Sequence, residues 1–256
     1  MEKYPVKGEV DRISFLDQLT TEERSLFHQN GTLLTLKKNE PLDLDDPSHQ
    51  NSVFLVTEGF VKLTTLNLEG KKFSLSLLQT GDLSDWFYKQ TGEEKPFSQS
   101  GHCKFLESIT GVSQVLRMNE TVFQDLLDKK PSLYVTLLRV MQCRVYTVQR
   151  QLSDVVFKDV HARIAQTLLD MVFHYAELCP YAFGVVRDVC LTHQEISELI
   201  GASRPVTSLA LNDFSRADLV HKHDRFLCLQ NIPGLEVVAQ EGYQALKKIS
   251  SSLVVS

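Results

Sequence analysis

Leu191 to Val220 reads LTHQEISELIGASRPVTSLALNDFSRADLV, and this stretch decides what the C-terminal part of the chain is. Thr192 and Glu195 have the T-x-x-E spacing of a capping box, so a helix starts there. Ile196, Leu199 and Ile200 give that helix one apolar face, and Gly201 supplies the left-handed residue that ends it. Ser203 caps a second helix. Pro205 falls in its first turn, where a missing N–H costs little. Val206, Ala210, Leu211 and Phe214 are expected to pack it against the first helix. Two short helices joined by a glycine turn form a helix-turn-helix. Leu219 to His221 and Arg225 to Leu229 bracket the polar pair His223-Asp224 and read as a β-hairpin wing beside it.

Upstream, Ala162, Ile164, Ala165, Leu168, Leu169 and Val172 mark another amphipathic helix. Between it and the helix-turn-helix, Cys179 to Cys190 is a connector ending in a short strand-like run. Pro131 starts a long helix in which Tyr134, Leu138, Met141, Val145, Val148, Leu152 and Val155 alternate at spacings of four and three. That is a heptad seam, and three unbroken heptads favour a parallel dimer over a helix that merely lies on its own domain. Arg144, Arg150 and Gln151 flank it and are expected to stay solvated. Residues 53–118 read as β. Val53–Val56, Val61–Leu66 and Lys71–Leu78 are strand-like, the last with Phe73, Leu75 and Leu77 on one face. Cys103–Ile109 and Val112–Met118 flank Thr110-Gly111 and read as a hairpin. The irregular stretch Trp86 to His102 reads as an exposed loop. Asn119 is an N-cap for a helix burying Phe123, Leu126 and Leu127, and Thr20 or Thr21 caps another helix near the N-terminus.

The chain has 256 residues, 43% hydrophobic and 23% charged, with a formal net charge of −5. Those values exclude a disordered tail protein and a strongly cationic nucleic-acid coat, while leaving room for a local basic patch. Five scattered cysteines without a CxxC pair write neither a disulfide framework nor a zinc ribbon. With no evident signal peptide and no long apolar run, a cytoplasmic protein without a membrane partner is expected. No paired carboxylates in a cleft, G-x-S-x-G, P-loop or H-E-x-x-H occurs, so an enzyme is not expected.

The segment FKDVHARIAQTLLDM (Phe157 to Met171), followed by LTHQEISELIGASRPVT, resembles the Crp/Fnr family of bacterial transcription regulators. VFLVTEGFVKL and LEGKKFSLSLLQTGDL resemble the cyclic-nucleotide-binding-like domain of that family. The resemblance runs from about Ser52 to Leu229, and Leu235 to Ile249 reads as an added C-terminal helix. It implies an α+β protein: an N-terminal double-stranded β-helix, or jelly roll, over 1–130; a dimerisation helix over 131–157; and a winged helix-turn-helix with a helical extension over 158–256. It also implies a homodimer on double-stranded DNA, reading a pseudo-palindromic operator. Contacts are expected from Thr192, Ser203, Arg204, Pro205, Thr207, Ser208, Leu209, Lys222 and Arg225. RNA polymerase is a further expected partner, through exposed barrel loops such as Lys71-Lys72.

The chain also departs from the family. Cyclic-nucleotide-binding members hold the phosphate with a Gly-Glu step and an arginine, whereas no arginine occurs here between Arg24 and Arg117. A cyclic nucleotide is therefore not expected, and another small-molecule effector is left open. Iron–sulfur members need clustered cysteines near the N-terminus; the first here is Cys103, so no such cofactor is expected. His102 and Cys103 do not make a haem pair, because neighbouring strand residues face opposite ways, and a lone strand cysteine is expected to be buried packing. In the second helix Arg204 keeps the guanine-reading fork, Pro205 cannot accept from cytosine, and Leu209 offers only apolar contact, for example to a thymine methyl. Arg187 to Gln230 carries five cations (Arg187, Arg204, Arg216, Lys222, Arg225) against six anions, so non-specific DNA binding should be weak. That acidity, with Pro205 and Leu209, also permits an alternative: an interaction module with a degenerate helix-turn-helix. His193, His221 and His223 read as solvated surface groups.

Overall fold

The structure, a computed structural model, describes residues 14–38, 40–49, 51–84, 103–109, 111–175, 177–178, 187–189, 191–223 and 226–253. The chain divides into two compact units, Met1–Gln149 and Arg150–Ser256.

In the first unit, α1 (Thr21–Asn30) is capped by Thr20, whose hydroxyl accepts from Glu23 N while the Glu23 carboxylate accepts from Thr20 N. The strands are β1 (Thr32–Lys37), β2 (Leu42–Asp43), β3 (Ser52–Glu58), β4 (Phe60–Leu66), β5 (Lys72–Gln79), β6 (Leu83–Ser84), β7 (Cys103–Ser108) and β8 (Val112–Asn119). They pair antiparallel in two sheets, ordered β1-β8-β3-β6 and β2-β7-β4-β5. Alternation along each strand builds two cores from one sheet. Phe54, Val56 and Val115 of the first sheet join Val61, Leu63, Leu78 and Leu106 of the second in one cluster. Val53, Leu55, Leu116 and Met118 point the other way. They pack with Phe27 of α1, with Phe123 and Leu127 of α2 (Glu120–Lys129), and with Leu133, Leu137 and Val140 of α3 (Ser132–Phe157). Asn119 caps α2 by accepting from Thr121 N.

Four expectations about this unit need correction. β7 and β8 are not a hairpin: they follow each other in the chain but belong to different sheets, so the turn between them carries the chain across the sandwich. β5 does not bury Phe73, Leu75 and Leu77. A register shift opposite Leu63 and Thr64 breaks the alternation, and Ser74 and Leu78 are the buried residues instead. Two strands, β1 and β2, lie upstream of the region read as β. Cys103 is exposed rather than buried packing, and the loop read over Trp86 to His102 lies outside the described residues.

Lysine side chains meet one carboxylate on the second sheet. Lys62 and Glu107 are cross-strand partners, both buried, with Nζ 2.9 Å from Oε2; Lys72 reaches Oε1 at 2.5 Å. Burial pushes the Glu107 carboxyl up, but the hydrogen bonds and charges of Lys72 and Lys62 outweigh it and hold it below the ordinary range. Of the two loop lysines, Lys72 is held by Glu107, and Lys71 is exposed.

α3 carries two apolar stripes. One, Leu133-Leu137-Val140, is buried in the core above. The other is the heptad seam, where Leu138, Val145, Val148, Leu152 and Val155 are each about half exposed or more and Leu152 is 65% exposed. The flanking arginines are not simply solvated: Arg144 donates to the Leu83 carbonyl, and Arg150 forks onto Asp170 at 3.1 and 2.6 Å.

The second unit comprises α4 (Val160–Tyr175), β9 (Glu177–Leu178), β10 (Arg187–Val189), α5 (His193–Ile200), α6 (Arg204–Arg216), β11 (Val220–His223), β12 (Phe226–Leu229), α7 (Ile232–Glu241) and α8 (Tyr243–Leu253). Its sheet runs β11-β12-β10-β9. The C-terminal extension is two helices rather than one, broken at Gly242 with φ +68° and ψ −147°. A Cβ there would stand 2.4 Å from the Asp159 carboxylate. That carboxylate serves two helix starts: Oδ1 accepts from Ala162 N of α4 and Oδ2 from Tyr243 N of α8, both at 2.8 Å. Asp159→Ala removes both caps and should lower the stability of this unit by about 2 kcal/mol, read as a lower thermal midpoint. Asp159→Asn keeps one acceptor and should cost roughly half as much. Equal midpoints for wild type and Asp159→Ala would show that neither cap matters. Among the described residues no helix is long and apolar enough to cross a membrane.

Candidate nucleic-acid interface

Local capping chemistry fixes the angle between α5 and α6. Thr192 Oγ1 accepts from Glu195 N at 3.2 Å, and Glu195 Oε2 accepts from Thr192 N at 2.7 Å. Gly201 ends α5 in the left-handed region, at φ +64° and ψ +37°. Arg163 of α4 donates to the Ile200 carbonyl, so the last turn of α5 is held from the helix behind it. α6 starts after Ser203, with Pro205 in its first turn, and its buried stripe is Thr207, Ala210, Leu211 and Phe214.

That stripe sorts the expected contact residues. Arg204, Pro205 and Leu209 are exposed on α6, Leu209 at 66%, and Ser203 is exposed at its start. Val206, expected to pack inward, is 45% exposed. The i, i+3, i+4, i+7 stripe begins at Thr207, one residue further on. Thr207 is 0% exposed, and its hydroxyl donates to the Ser203 carbonyl at 3.0 Å, so it seats the helix and does not face solvent. Thr192 is exposed, but its hydroxyl proton goes to Glu195 Oε2 at 2.8 Å; a phosphate contact would have to displace that bond. Lys222 is exposed on β11, and Arg225 lies outside the described residues.

One member of the cluster is not among the contacts expected from the sequence. His193 is half-buried, not a solvated surface group, and its Nδ1 lies 2.9 Å from Ser208 Oγ on α6. Burial, followed by the positive charges of Lys222 and Arg204, pushes the imidazole below its ordinary range. The signal was absent from local pattern because the pair spans the turn, fifteen residues apart. Among the described residues the surface therefore combines the Arg204 guanidinium fork, the Lys222 ammonium group, an imidazole–hydroxyl pair and an apolar patch. A fork and a patch of that kind suit guanine edges and thymine methyls in a major groove.

Residues 162–238 match the Crp-like helix-turn-helix domain family. These residues therefore carry a Crp-like helix-turn-helix domain. The chain is 28% identical over 163 residues to the CRP-like cAMP-activated global transcriptional regulator of Mycobacterium tuberculosis, covering 64% of this chain and 68% of that one. It is 23% identical over 174 residues to the cAMP-activated global transcriptional regulator CRP of Haemophilus influenzae, covering 68% and 73%. Among solved structures it resembles a CooA mutant from Carboxydothermus hydrogenoformans, with TM-score 0.65 and 20% identity over 91% of this chain and 97% of that one. Both of these curated relatives are transcriptional regulators. The helix-turn-helix of the matched domain is formed here by α5 and α6, with β11 and β12 as the wing.

Proposed function

We propose that this chain is a transcription regulator of the Crp/Fnr type that acts as a homodimer on a pseudo-palindromic operator, and does so without a cyclic nucleotide. The observation that carries the dimer is the second stripe of α3, a heptad seam whose Leu138, Val145, Val148, Leu152 and Val155 stay open to solvent in the single chain. A parallel pair of such helices gives two copies of α6 related by a twofold axis, as half-sites about one helical turn apart require. Arg204 reads guanine in each half-site, Pro205, Val206 and Leu209 lie against apolar base edges, and Ser203 and Lys222 hold phosphates.

The absence of a cyclic-nucleotide response is supported by composition and packing. No arginine occurs between Arg24 and Arg117, Lys62 and Lys72 are both engaged by Glu107, and the space between the sheets holds leucines, valines and Phe54. An anionic phosphate there lacks a fixed planar donor fork. The barrel instead takes an effector of another class or serves as a platform for a protein partner such as RNA polymerase, for which exposed Lys71 offers a cation.

The test is selection of genomic DNA fragments by the purified protein, with and without cAMP, followed by the salt dependence of the best fragment. A palindromic site recovered equally in both arms supports the reading. Selection only in the presence of cAMP overturns the effector part, and a site without twofold symmetry overturns the dimer.

A further inference from the structure

His193 is the first residue of α5, and Ser208 lies one turn beyond Arg204 on α6. Their Nδ1 and Oγ atoms are 2.9 Å apart, and both residues are half-buried. The charged groups facing the ring are Arg204 from α6 and Lys222 from β11. Arginine and lysine only donate hydrogen bonds, so of the ring and its two charged neighbours the imidazole alone can exchange donor for acceptor.

We propose that Ser208 reads a base edge beside the one read by Arg204, and that the protonation of His193 decides whether its hydroxyl offers an acceptor or a donor. This inference rests on the reading of α6 as the base-contacting helix. A hydroxyl has one proton to give. When the ring is neutral with its proton on Nε2, Nδ1 accepts that proton from Ser208. The oxygen then presents only lone pairs to the groove, which suits adenine N6–H or cytosine N4–H. When the ring takes up a proton from solvent, Nδ1–H donates into Oγ and the Ser208 O–H turns outward. It then suits guanine O6 and N7, thymine O4 or a phosphate oxygen. A phosphate drawn to Lys222 beside the ring accepts from Nε2–H, which keeps Nδ1 free to accept in the neutral complex.

The direction of the pH response follows. The imidazole sits below its ordinary range in the folded chain, so the ring is neutral near neutral pH, and the Nε2–H tautomer held by the phosphate gives the acceptor state. The donor state gains only in acid, below the unperturbed value of about 6.5. The added positive charge also strengthens attraction to phosphate as pH falls.

The full chain is used to select duplexes from a random-sequence pool at about pH 8 and about pH 5, on either side of the histidine range. Wild type, His193→Gln, Ser208→Ala and Arg204→Ala are compared. For wild type, one symmetry-related pair of positions should favour adenine or cytosine at the higher pH and guanine or thymine at the lower. The preference should be about fivefold to tenfold, as expected for a single hydrogen bond. His193→Gln should select the same base at both pH values, and Ser208→Ala should lose the preference. A purely structural role for the pair would not move base preference with pH. Unchanged wild-type preference between the two pH values, or a preference that survives Ser208→Ala, overturns the inference while Arg204→Ala still alters the selected sequence. If Arg204→Ala also leaves the selection unchanged, α6 does not read bases, and the proposed function fails together with this inference.

Discussion

Replacing Arg204 by alanine is expected to lower operator affinity about a thousandfold at fixed salt. The guanidinium stands exposed at the start of α6, held in place by a helix whose opposite face is fully packed. A bidentate arginine–guanine pair discriminates by about 1–3 kcal/mol, and a dimer makes the contact twice. The loss should be specific. Affinity for the selected operator falls towards that for random DNA, while the slope of affinity against salt changes little. A phosphate-binding arginine would behave the other way, lowering affinity for all sequences and reducing the salt slope by about one per site. Arg204→Lys should rescue little, because an ammonium keeps the charge but not the fork. Operator affinity within about threefold of wild type for Arg204→Ala would remove direct guanine readout from the mechanism.

The second large effect is expected from the seam of α3. Leu152 occupies an a position of the heptad, so in a parallel pair it faces its own copy. Val145 precedes it by one heptad. The double substitution Val145→Glu and Leu152→Glu places like charges against each other in two layers, and the chain should sediment as a monomer. Operator affinity should then fall by roughly a thousandfold, because the second half-site is no longer offered at the high effective concentration of a linked partner. Both side chains are exposed in the single chain, so the monomer should keep its native far-ultraviolet circular dichroism. A variant that still sediments as a dimer would show that the interface lies elsewhere.

The sequence was most informative where the signals are local. The capping box of Thr192 and Glu195, Gly201 after α5 and Pro205 inside α6 all act within one helical turn, and each appears in the structure where it was read. The sandwich was only half legible, because pairing of strands is a choice between distant partners. Thr110-Gly111 has turn chemistry, yet the strands it joins pair with β1, β3, β2 and β4 and not with each other. The face of β5 was misread because a register shift cannot be seen in hydrophobic alternation. For the recognition helix, a one-residue error in the buried stripe placed Val206 inside and made Thr207 a contact candidate. The His193–Ser208 pair was invisible because only the folded angle between two helices brings it together. α3 posed a further problem: it holds two apolar stripes, and sequence alone does not say which one meets the barrel.

Those two stripes are not wholly separate. Tyr134 and Met141 belong to the seam, yet both pack partly against the core that also holds Leu133, Leu137 and Val140. Tyr134 is further moored to α2, its hydroxyl donating to Asp128. In the proposed dimer, these two side chains enter two packing energies at once, one within their own barrel and one with the partner helix. Any ligand or mutation that repacks the barrel around α2 therefore changes the strength of subunit association, and by linkage association changes the barrel by the same free energy. The coupling needs no moving domain, only two residues that cannot satisfy both neighbours independently.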